Sequence, residues 1–256
     1  MINLCVKFFD AHLHIIDPRF PLVANQGYLP EEFTCRDYLA RVGTDNLVGG
    51  AVVSGSFQAF DQNYLRQALS ELGPKFVGVT QLPATVTDEE ILDLDRIGVQ
   101  AVRFNLRRGG SETVAHLDRL ARRVYDLARW HVELYVDSRD LPELTSTLTA
   151  LPAVSIDHLG LSQEGFPALL KLVESGIRVK ATGFGRVDFQ VGPALTAIHA
   201  INPRALMFGT DLPSTRAPHP YRDEDLLLVV ETLGEQGAER VLHENAKEFY
   251  TSNRTS

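Results

Sequence analysis

Two histidines, His12 and His14, stand one residue apart directly after an apolar run over residues 4–9. Residues i and i+2 of a β-strand point to the same face, so both imidazoles are expected to enter one site together. Imidazole nitrogens can exchange protons, donate hydrogen bonds to a developing oxyanion, or ligate zinc. This spacing therefore predicts a reactive polar site at the end of the first strand.

Two later apolar runs also end in titratable residues. Asp157 and His158 follow residues 153–156, and Asp211 comes shortly after residues 205–208. A single histidine at a strand end is as often structural as functional. Polar groups that recur at the ends of the first, a middle and the last predicted strand instead indicate the active-site layout of a barrel.

The four residues His12, His14, His158 and Asp211 permit two kinds of chemistry. Imidazole and carboxylate together suit a divalent ion such as zinc. Without a metal, the imidazoles, one of them protonated or all neutral, can polarise a carbonyl while Asp211 takes a proton from the attacking water. The residues alone leave both alternatives open.

Arginines form the second chemical signal. Arg103 lies in an otherwise apolar predicted strand, Arg107 and Arg108 follow it closely, and Arg186 follows the seventh predicted strand. Guanidinium groups match carboxylates bidentately, so several arginines at one mouth predict an anionic substrate, most simply a carboxylic acid. For Arg107 and Arg108 a surface charge is an equally good interpretation.

Short apolar runs that could be strands alternate with segments of helical periodicity along the whole chain. The eight predicted strands cover residues 4–9, 48–53, 76–80, 100–104, 132–136, 154–156, 177–181 and 205–208. The clearest predicted helices cover residues 111–130, 140–151, 164–174 and 223–235. This alternation predicts one (β/α)₈ barrel domain over residues 1–256. An open doubly wound sheet is the rival fold, but it usually carries a glycine-rich phosphate loop after its first strand, where this chain has His-Leu-His.

Two segments depart from the alternation of strand and helix. Residues 16–36 are rich in proline and aromatic residues and show no clear period, and residues 213–221 hold three prolines together with Arg216 and His219. Both follow predicted strands that end in site residues. We expect them to lie over the mouth of the barrel, because long loops in compact domains are often functional.

The composition is that of a globular protein, with 44% hydrophobic and 23% charged residues among 256. A net charge of −8 argues against a nucleic-acid partner. No apolar run reaches the roughly 18 residues that a membrane helix needs, and no signal-peptide pattern opens the chain, so a cytoplasmic location is expected. The two cysteines, Cys5 and Cys35, form no metal-binding or disulfide pattern, and Cys5 in the first predicted strand is expected to be a buried thiol.

Five segments together resemble the amidohydrolase superfamily. They are Asp-Ala-His-Leu-His at 10–14, Val-Arg-Phe-Asn at 102–105, Ile-Asp-His-Leu-Gly at 156–160, Val-Lys at 179–180 and Phe-Gly-Thr-Asp-Leu-Pro at 208–213. The segment Glu-Asn-Ala-Lys-Glu-Phe-Tyr at 244–250 is similar to the usual C-terminal segment of that superfamily. Within it, the chain looks most like the branch that contains 2-pyrone-4,6-dicarboxylate lactonase. The resemblance runs nearly end to end.

The chain departs from the metal-dependent members of the superfamily at two positions. Those members place a further histidine on strand five and, in binuclear sites, a lysine or glutamate on strand four. Here strand four carries Arg103 and Asn105, and Tyr135 stands where the strand-five histidine is expected. His131 precedes strand five and should lie at the opposite end of the barrel. These departures match the lactonase branch, which hydrolyses its substrate without a metal.

The resemblance implies a role for each matched residue. His12, His14 and His158 would surround the scissile carbonyl, and Asp211 would activate water. The residues that would hold the substrate's carboxylates are Ser56, Arg103, Arg107, Arg108, Tyr135 and Arg186. The residues after Asp211, Leu-Pro-Ser-Thr-Arg, differ from the Trp-Pro-His that often follows this aspartate.

The sequence therefore predicts a hydrolase of a carboxylated lactone or similar cyclic ester, acting on a small organic acid. No cofactor is expected, although zinc or manganese could bind at His12, His14, His158 and Asp211. Partners other than a small anionic substrate are not expected, apart from a second copy in a homodimer. A mononuclear metal-dependent hydrolase or decarboxylase is the first alternative. A non-catalytic barrel that binds organic acids is the second.

Overall fold

The structure is a computed structural model that describes residues 6–251. Eight parallel strands form a single sheet in chain order, with each strand paired to the next. The strands are Phe8–Leu13 (β1), Leu47–Val53 (β2), Phe76–Thr80 (β3), Val99–Asn105 (β4), His131–Tyr135 (β5), Val154–Ile156 (β6), Arg178–Ala181 (β7) and Leu206–Phe208 (β8). The predicted (β/α)₈ fold is confirmed.

Helices connect the strands and surround the sheet. They are Cys35–Val42 (α1), Asn63–Leu72 (α2), Asp88–Arg96 (α3), Leu117–Ala128 (α4), Leu141–Ala150 (α5), Phe166–Glu174 (α6), Val191–Ile201 (α7), Asp223–Glu239 (α8) and Asn245–Thr251 (α9). Helix α4 buries Leu117, Leu120 and Val124, at the spacing expected for the inner stripe of an amphipathic helix. Across residues 6–251, none of the helices has both the length and the apolar character that a membrane crossing requires.

The first and last strands meet just beyond their ends. The backbone N–H of Asp211 donates to the carbonyl of His12 over 2.7 Å, and the N–H of His14 donates to the carbonyl of Leu212 over 2.7 Å. Gly209 allows this approach, since a Cβ there would lie 2.6 Å from the backbone nitrogen of His12. The closure of the barrel therefore sets Asp211 beside the two histidines of the first strand.

The predicted bounds of the first strand are wrong. The sequence placed it at residues 4–9, whereas β1 runs over Phe8–Leu13, and Cys5 lies outside the described residues. The apolar run was expected to end the strand where polar residues begin. Asp10 nevertheless stays paired with Gly50 of β2, because the barrel supplies backbone partners whatever the side-chain polarity.

An irregularity in β1 decides where its histidines point. Phe9 and Ala11 belong to the apolar cluster inside the barrel, so strict alternation would turn His12 towards the surrounding helices. The pairing register with β2 shifts between Asp10 and Leu13, which moves Leu13 to the helix-facing core and His12 inwards. Such bulges commonly re-aim side chains next to active sites.

The barrel interior changes character along its axis. Its lower part is filled by an apolar cluster from alternate strand positions and from α9, which plugs the bottom with Ala246 and Tyr250. The rings of Tyr250 and Phe9 stack with centroids 5.6 Å apart. Above this plug come buried charged residues, and above those comes the site at the carboxyl ends of the strands. A second, larger apolar core packs the helices against the outside of the sheet.

Candidate active site

The carboxylate of Asp211 lies at the centre of three imidazoles. Its Oδ1 is 3.9 Å from Nε2 of His12, 3.7 Å from Nε2 of His14 and 4.0 Å from Nε2 of His158. All four side chains are buried. The structure thus brings together the four residues that the sequence singled out as catalytic, from the carboxyl ends of strands that are far apart in the chain.

Two of these residues occupy an unusual backbone conformation. His158 has φ of 51° and Asp211 has φ of 59°, both in the left-handed region that non-glycine residues rarely adopt. Such a conformation costs on the order of 1–3 kcal/mol and persists only where surrounding contacts impose it. Here the chain turns sharply after β6 and β8, and that turn aims both side chains back over the barrel axis.

Hydrogen bonds orient two of the imidazole rings. Nδ1 of His14 donates to the carbonyl of Val53 over 2.7 Å, because a carbonyl oxygen can only accept. In the neutral ring, Nε2 of His14 then faces Asp211 as a bare nitrogen. Nδ1 of His158 shares a 2.7 Å hydrogen bond with Oγ1 of Thr182, a residue of the loop after β7. Both rings therefore present Nε2 to the centre of the site.

Burial sets the charge state of the site. It lowers the pKa of His158 to about 3 and, together with the charge of Lys180, lowers the pKa of His12 well below its ordinary value. Burial alone would raise the pKa of Asp211, but the positive charge of Arg186 outweighs it and holds that pKa below its ordinary range. At neutral pH the site therefore combines an ionised carboxylate with neutral rings at His12 and His158. The lowered pKa values argue against a protonated imidazole at His12 or His158, which the sequence had left open.

A narrow cavity opens beside His14 and His158. Four arginines line it, namely Arg103, Arg108, Arg186 and Arg216. Ser56, Tyr135, His14 and His158 complete much of the wall. The cavity therefore gathers most of the residues that the sequence assigned to substrate binding. Arg107 is the exception, because it is exposed and does not line the cavity.

Two of the four arginines are paired with buried carboxylates. Arg103 donates through Nε and Nη2 to Asp157 over 3.1 and 2.8 Å, and through Nη1 to the carbonyl of Ser54 over 2.8 Å. Arg186 donates through Nε to Oδ2 of Asp211 over 2.6 Å. Most of the hydrogen-bonding capacity of Arg103 is therefore used by Asp157 and Ser54 and not by a substrate. The sequence did not predict these two partners.

The other two arginines have no carboxylate partner within residues 6–251. Arg216 comes from the loop after β8 and donates through Nη2 to Oγ of Ser56 over 2.9 Å. It also donates to Oδ1 of Asn25 over 3.1 Å and lies over the ring of Tyr28, 4.7 Å from its centroid. Arg108 lines the same cavity. The two loops predicted to cover the mouth thus meet there, and Arg216 joins them.

A buried ionic cluster supports the site from below. Lys180 of β7 forms an ion pair with Glu133 of β5 and lies 3.7 Å from Oδ1 of Asp157. Glu133 also accepts hydrogen bonds from the hydroxyl of Tyr250 over 2.5 Å and from the ring of His131 over 3.0 Å. Sequence reasoning missed Glu133 altogether. The available signal was a charged residue at the middle of an apolar strand, as for Lys180.

The donor atoms at the centre fit a divalent metal in type. The ligating atoms of His12, His158 and Asp211 all lie within 4.8 Å of one another. Nε2 of His12 and Oδ1 of Asp211 are buried and have no hydrogen-bond partner within the described chain. Neutral imidazole and ionised carboxylate are the forms that bind zinc. The same two free atoms also fit a water molecule, which can donate to Oδ1 of Asp211, and an N–H at Nε2 of His12 also fits a substrate carbonyl.

A family model for amidohydrolases matches residues 9–251 of this sequence. The chain belongs to the amidohydrolase family. Among curated members, it is 27% identical over 253 residues to 2-pyrone-4,6-dicarboxylate hydrolase from Comamonas testosteroni, covering 86% of this chain and 81% of that protein.

Two solved structures share the fold over nearly the whole chain. A protein from Pseudomonas putida assigned as 2-pyrone-4,6-dicarboxylic acid hydrolase superposes with a TM-score of 0.81 at 25% identity, covering 98% of this chain and 99% of that one. A protein from Acinetobacter baumannii with the same assignment, which has citric acid bound, superposes with a TM-score of 0.82 at 22% identity, covering 96% and 99%. The second likeness concerns the fold alone.

Proposed function

We propose that this amidohydrolase hydrolyses a lactone or similar cyclic ester that carries carboxylate groups. The observation that carries the proposal is the position of Asp211, an ionised carboxylate ringed by three imidazoles, two of which, His14 and His158, line a cavity that four arginines also line. This arrangement provides a proton acceptor, hydrogen-bond donors for a carbonyl and cationic groups for anions within one small space. The similarity to 2-pyrone-4,6-dicarboxylate hydrolase supports the same class of substrate.

The charge of the cavity supports a substrate with more than one negative charge. Asp157 and Asp211 balance Arg103 and Arg186, while Arg108 and Arg216 have no carboxylate partner among the residues described. Uncompensated cations in a partly enclosed cavity are stabilised by an anionic ligand. Arg216 therefore joins the predicted substrate-binding residues Ser56, Arg103, Arg108, Tyr135 and Arg186.

The hydrolysis proceeds by attack of water on the ring carbonyl. The oxygen of the water bonds to the carbonyl carbon while Asp211 takes one proton from that water. The carbonyl oxygen gains the negative charge. N–H groups at Nε2 of His12 and His158 stabilise that oxyanion, whereas Nε2 of a neutral His14 is bare and cannot donate. The carbon–oxygen bond of the ring then breaks, and Asp211 returns its proton to the leaving ring oxygen. One water is consumed and one new carboxylic acid forms, which ionises at neutral pH.

A mononuclear metalloenzyme is the second candidate function. His12, His158 and Asp211, with His14 beside them, would hold the ion, as the two unpartnered atoms at the centre allow. A bound zinc or manganese would polarise the carbonyl and acidify a water molecule. The residues of the cavity would bind and orient the same carboxylated substrate in either case.

The test is an assay of the purified protein with 2-pyrone-4,6-dicarboxylate and with its neutral dimethyl ester, following loss of the pyrone chromophore. We expect turnover of the dicarboxylate and little turnover of the ester. Equal turnover of both compounds would contradict the role of the arginines. Binding of the dicarboxylate by calorimetry without any hydrolysis would favour the organic-acid-binding barrel over the enzyme.

A further inference from the structure

Lys180 lies fully buried beneath the catalytic cluster, with its ammonium group directed at His12. Its Nζ is 3.3 Å from Nδ1 of that ring. An ammonium group has three hydrogens to donate and no lone pair to accept with. The contact is therefore a hydrogen bond only if Nδ1 of His12 carries no proton.

We propose that Lys180 is a positioning residue that fixes His12 as the tautomer with its proton on Nε2. A neutral imidazole has one N–H, so a bare Nδ1 places the hydrogen on Nε2. Nε2 lies 3.9 Å from Oδ1 of Asp211, and neither atom has a hydrogen-bond partner in the described chain. His12 thus offers an unused N–H to a group bound beside Asp211. The catalytic consequence rests on the proposed hydrolysis, where that group is the substrate carbonyl.

One neighbouring group favours the opposite tautomer. Oδ1 of Asp157 is 3.5 Å from Nδ1 of His12 and could accept a proton from it. Lys180 is nearer to the ring nitrogen, and a hydrogen on Nδ1 would point towards a positive charge. Lys180 also lies 3.7 Å from the same oxygen of Asp157, so it competes for that acceptor as well. The lysine therefore decides between the two tautomers.

The position of Lys180 is itself fixed from the bottom of the barrel. Its ion-pair partner Glu133 accepts a hydrogen bond from the hydroxyl of Tyr250, which belongs to the C-terminal helix α9. His131 contacts the same carboxylate over 3.0 Å. Because all these groups are buried, the ammonium of Lys180 has no solvent-exposed position to adopt instead. The chain of contacts links α9 to the ring of His12.

The same contact bears on metal binding. A histidine that ligates a metal through Nε2 keeps its proton on Nδ1 and usually donates it to a carboxylate or carbonyl. Lys180 places a donor at that position instead. We therefore expect His12 to act as a hydrogen-bond donor and to be a poor ligand while Lys180 is present, although its Nε2 lies at the centre of the site.

The direct test measures the tautomer without any substrate. Protein labelled with ¹⁵N-histidine and treated with a chelator is examined by long-range ¹H–¹⁵N correlation spectra, and the variant His12→Gln identifies the signals of His12. We expect a protonated Nε2 and a bare Nδ1. A protonated Nδ1 in the parent protein would overturn the proposal. Failure to hydrolyse any lactone would count against the proposed function but not against this assignment.

A variant tests whether Lys180 is the cause. In Lys180→Met, we expect the proton of His12 to move to Nδ1, kcat to fall about a hundredfold with little change in KM, and zinc affinity by calorimetry to rise. Exposed Lys171→Met is the matched control. A purely structural lysine would lower Tm but leave the tautomer and the kcat of the folded fraction unchanged, which would refute the proposal.

Removing Lys180 leaves Glu133 as a buried unpaired carboxylate, which is strongly destabilising. If Lys180→Met does not fold, the double variant Lys180→Met/Glu133→Gln removes both charges of the pair. We expect the same shift of the His12 proton in the double variant. A double variant that folds and keeps Nε2 protonated would show that another group sets the tautomer.

Discussion

Arg186 donates through Nε to Oδ2 of Asp211 over 2.6 Å and leaves Oδ1 as the oxygen that faces the three histidines. The guanidinium thereby orients the carboxylate and lowers its pKa against the effect of burial. A substrate carboxylate that bound Arg186 would share its positive charge. The proton affinity of Asp211 would then rise when substrate is present, which is when a base is needed.

The first prediction concerns Asp211 as the proton acceptor. Asp211→Asn keeps the shape of the side chain but removes its basicity, so we expect kcat to fall by at least about a hundredfold. Binding of a carboxylate product should change little. The measurement is kcat per folded molecule, together with Tm, and exposed Asp118→Asn is the control. Near-normal kcat in the folded fraction would remove Asp211 from the mechanism.

Substitution of the paired arginines should weaken both substrate binding and stability. Arg186→Met should raise KM strongly, since loss of a buried charge-assisted pair costs about 2–5 kcal/mol, or some tens to thousands-fold. Arg103→Met should raise KM too, and each substitution strands a buried carboxylate, Asp157 or Asp211, which costs about 3–5 kcal/mol of stability. Steady-state kinetics and urea denaturation of both variants provide the comparison. An unchanged KM in Arg186→Met would argue against its pairing with substrate.

Arg216 gives a sharper test of the substrate's charge. Because it has no carboxylate partner in the described chain, Arg216→Met should weaken binding of a dicarboxylate without stranding a buried anion. We expect KM for 2-pyrone-4,6-dicarboxylate to rise at least about tenfold, in line with a partly buried charged hydrogen bond, while Tm stays nearly constant. Exposed Arg119→Met serves as the matched control. The same KM in both variants would exclude Arg216 from the binding site.

Removal of metal should leave most of the activity. The site lacks a strand-five histidine and has Lys180 and Arg186 close to its centre, so few fixed ligands and two cations face any bound ion. We therefore expect chelator-treated protein to retain most of its kcat. Activity that disappears on chelation and returns with zinc or manganese would instead establish the mononuclear metalloenzyme.

Stability should fall as the pH is lowered from about 7 towards about 4, where the unfolded histidines protonate. Burial lowers the pKa of His158 to about 3 and that of His12 well below its ordinary value. The unfolded chain then binds more protons than the folded one, and each such histidine lowers the free energy of unfolding by up to about 1.4 kcal/mol per pH unit. Urea denaturation with a chelator present measures this slope. His158→Gln should flatten it, and an unchanged slope would show that His158 titrates normally.

Part of the fold was predictable because apolar runs in the sequence coincide with strands that pair in the structure. The bounds of β3 and β6 coincide with the runs at residues 76–80 and 154–156; the first lies between Lys75 and Gln81, and the second ends at Asp157. The bounds of β1 were not predictable in this way. That strand continues through Asp10 and His12, because its pairing with β2 depends on the neighbouring backbone and not on its own side chains.

The sequence by itself determined which residue types stand at the strand ends, and hence the meeting of His12, His14, His158 and Asp211. Only the tertiary structure decided the partners of each charged group. Arg103 pairs with Asp157, 54 positions away, while Arg216 is left for the cavity, and Lys180 reaches Glu133 and His12 across the barrel. Such pairings follow from strand register, from the irregularity in β1 and from barrel closure. Register, irregularity and closure all depend on backbone contacts between segments that are distant in the chain. A local stretch of residues therefore does not reveal them.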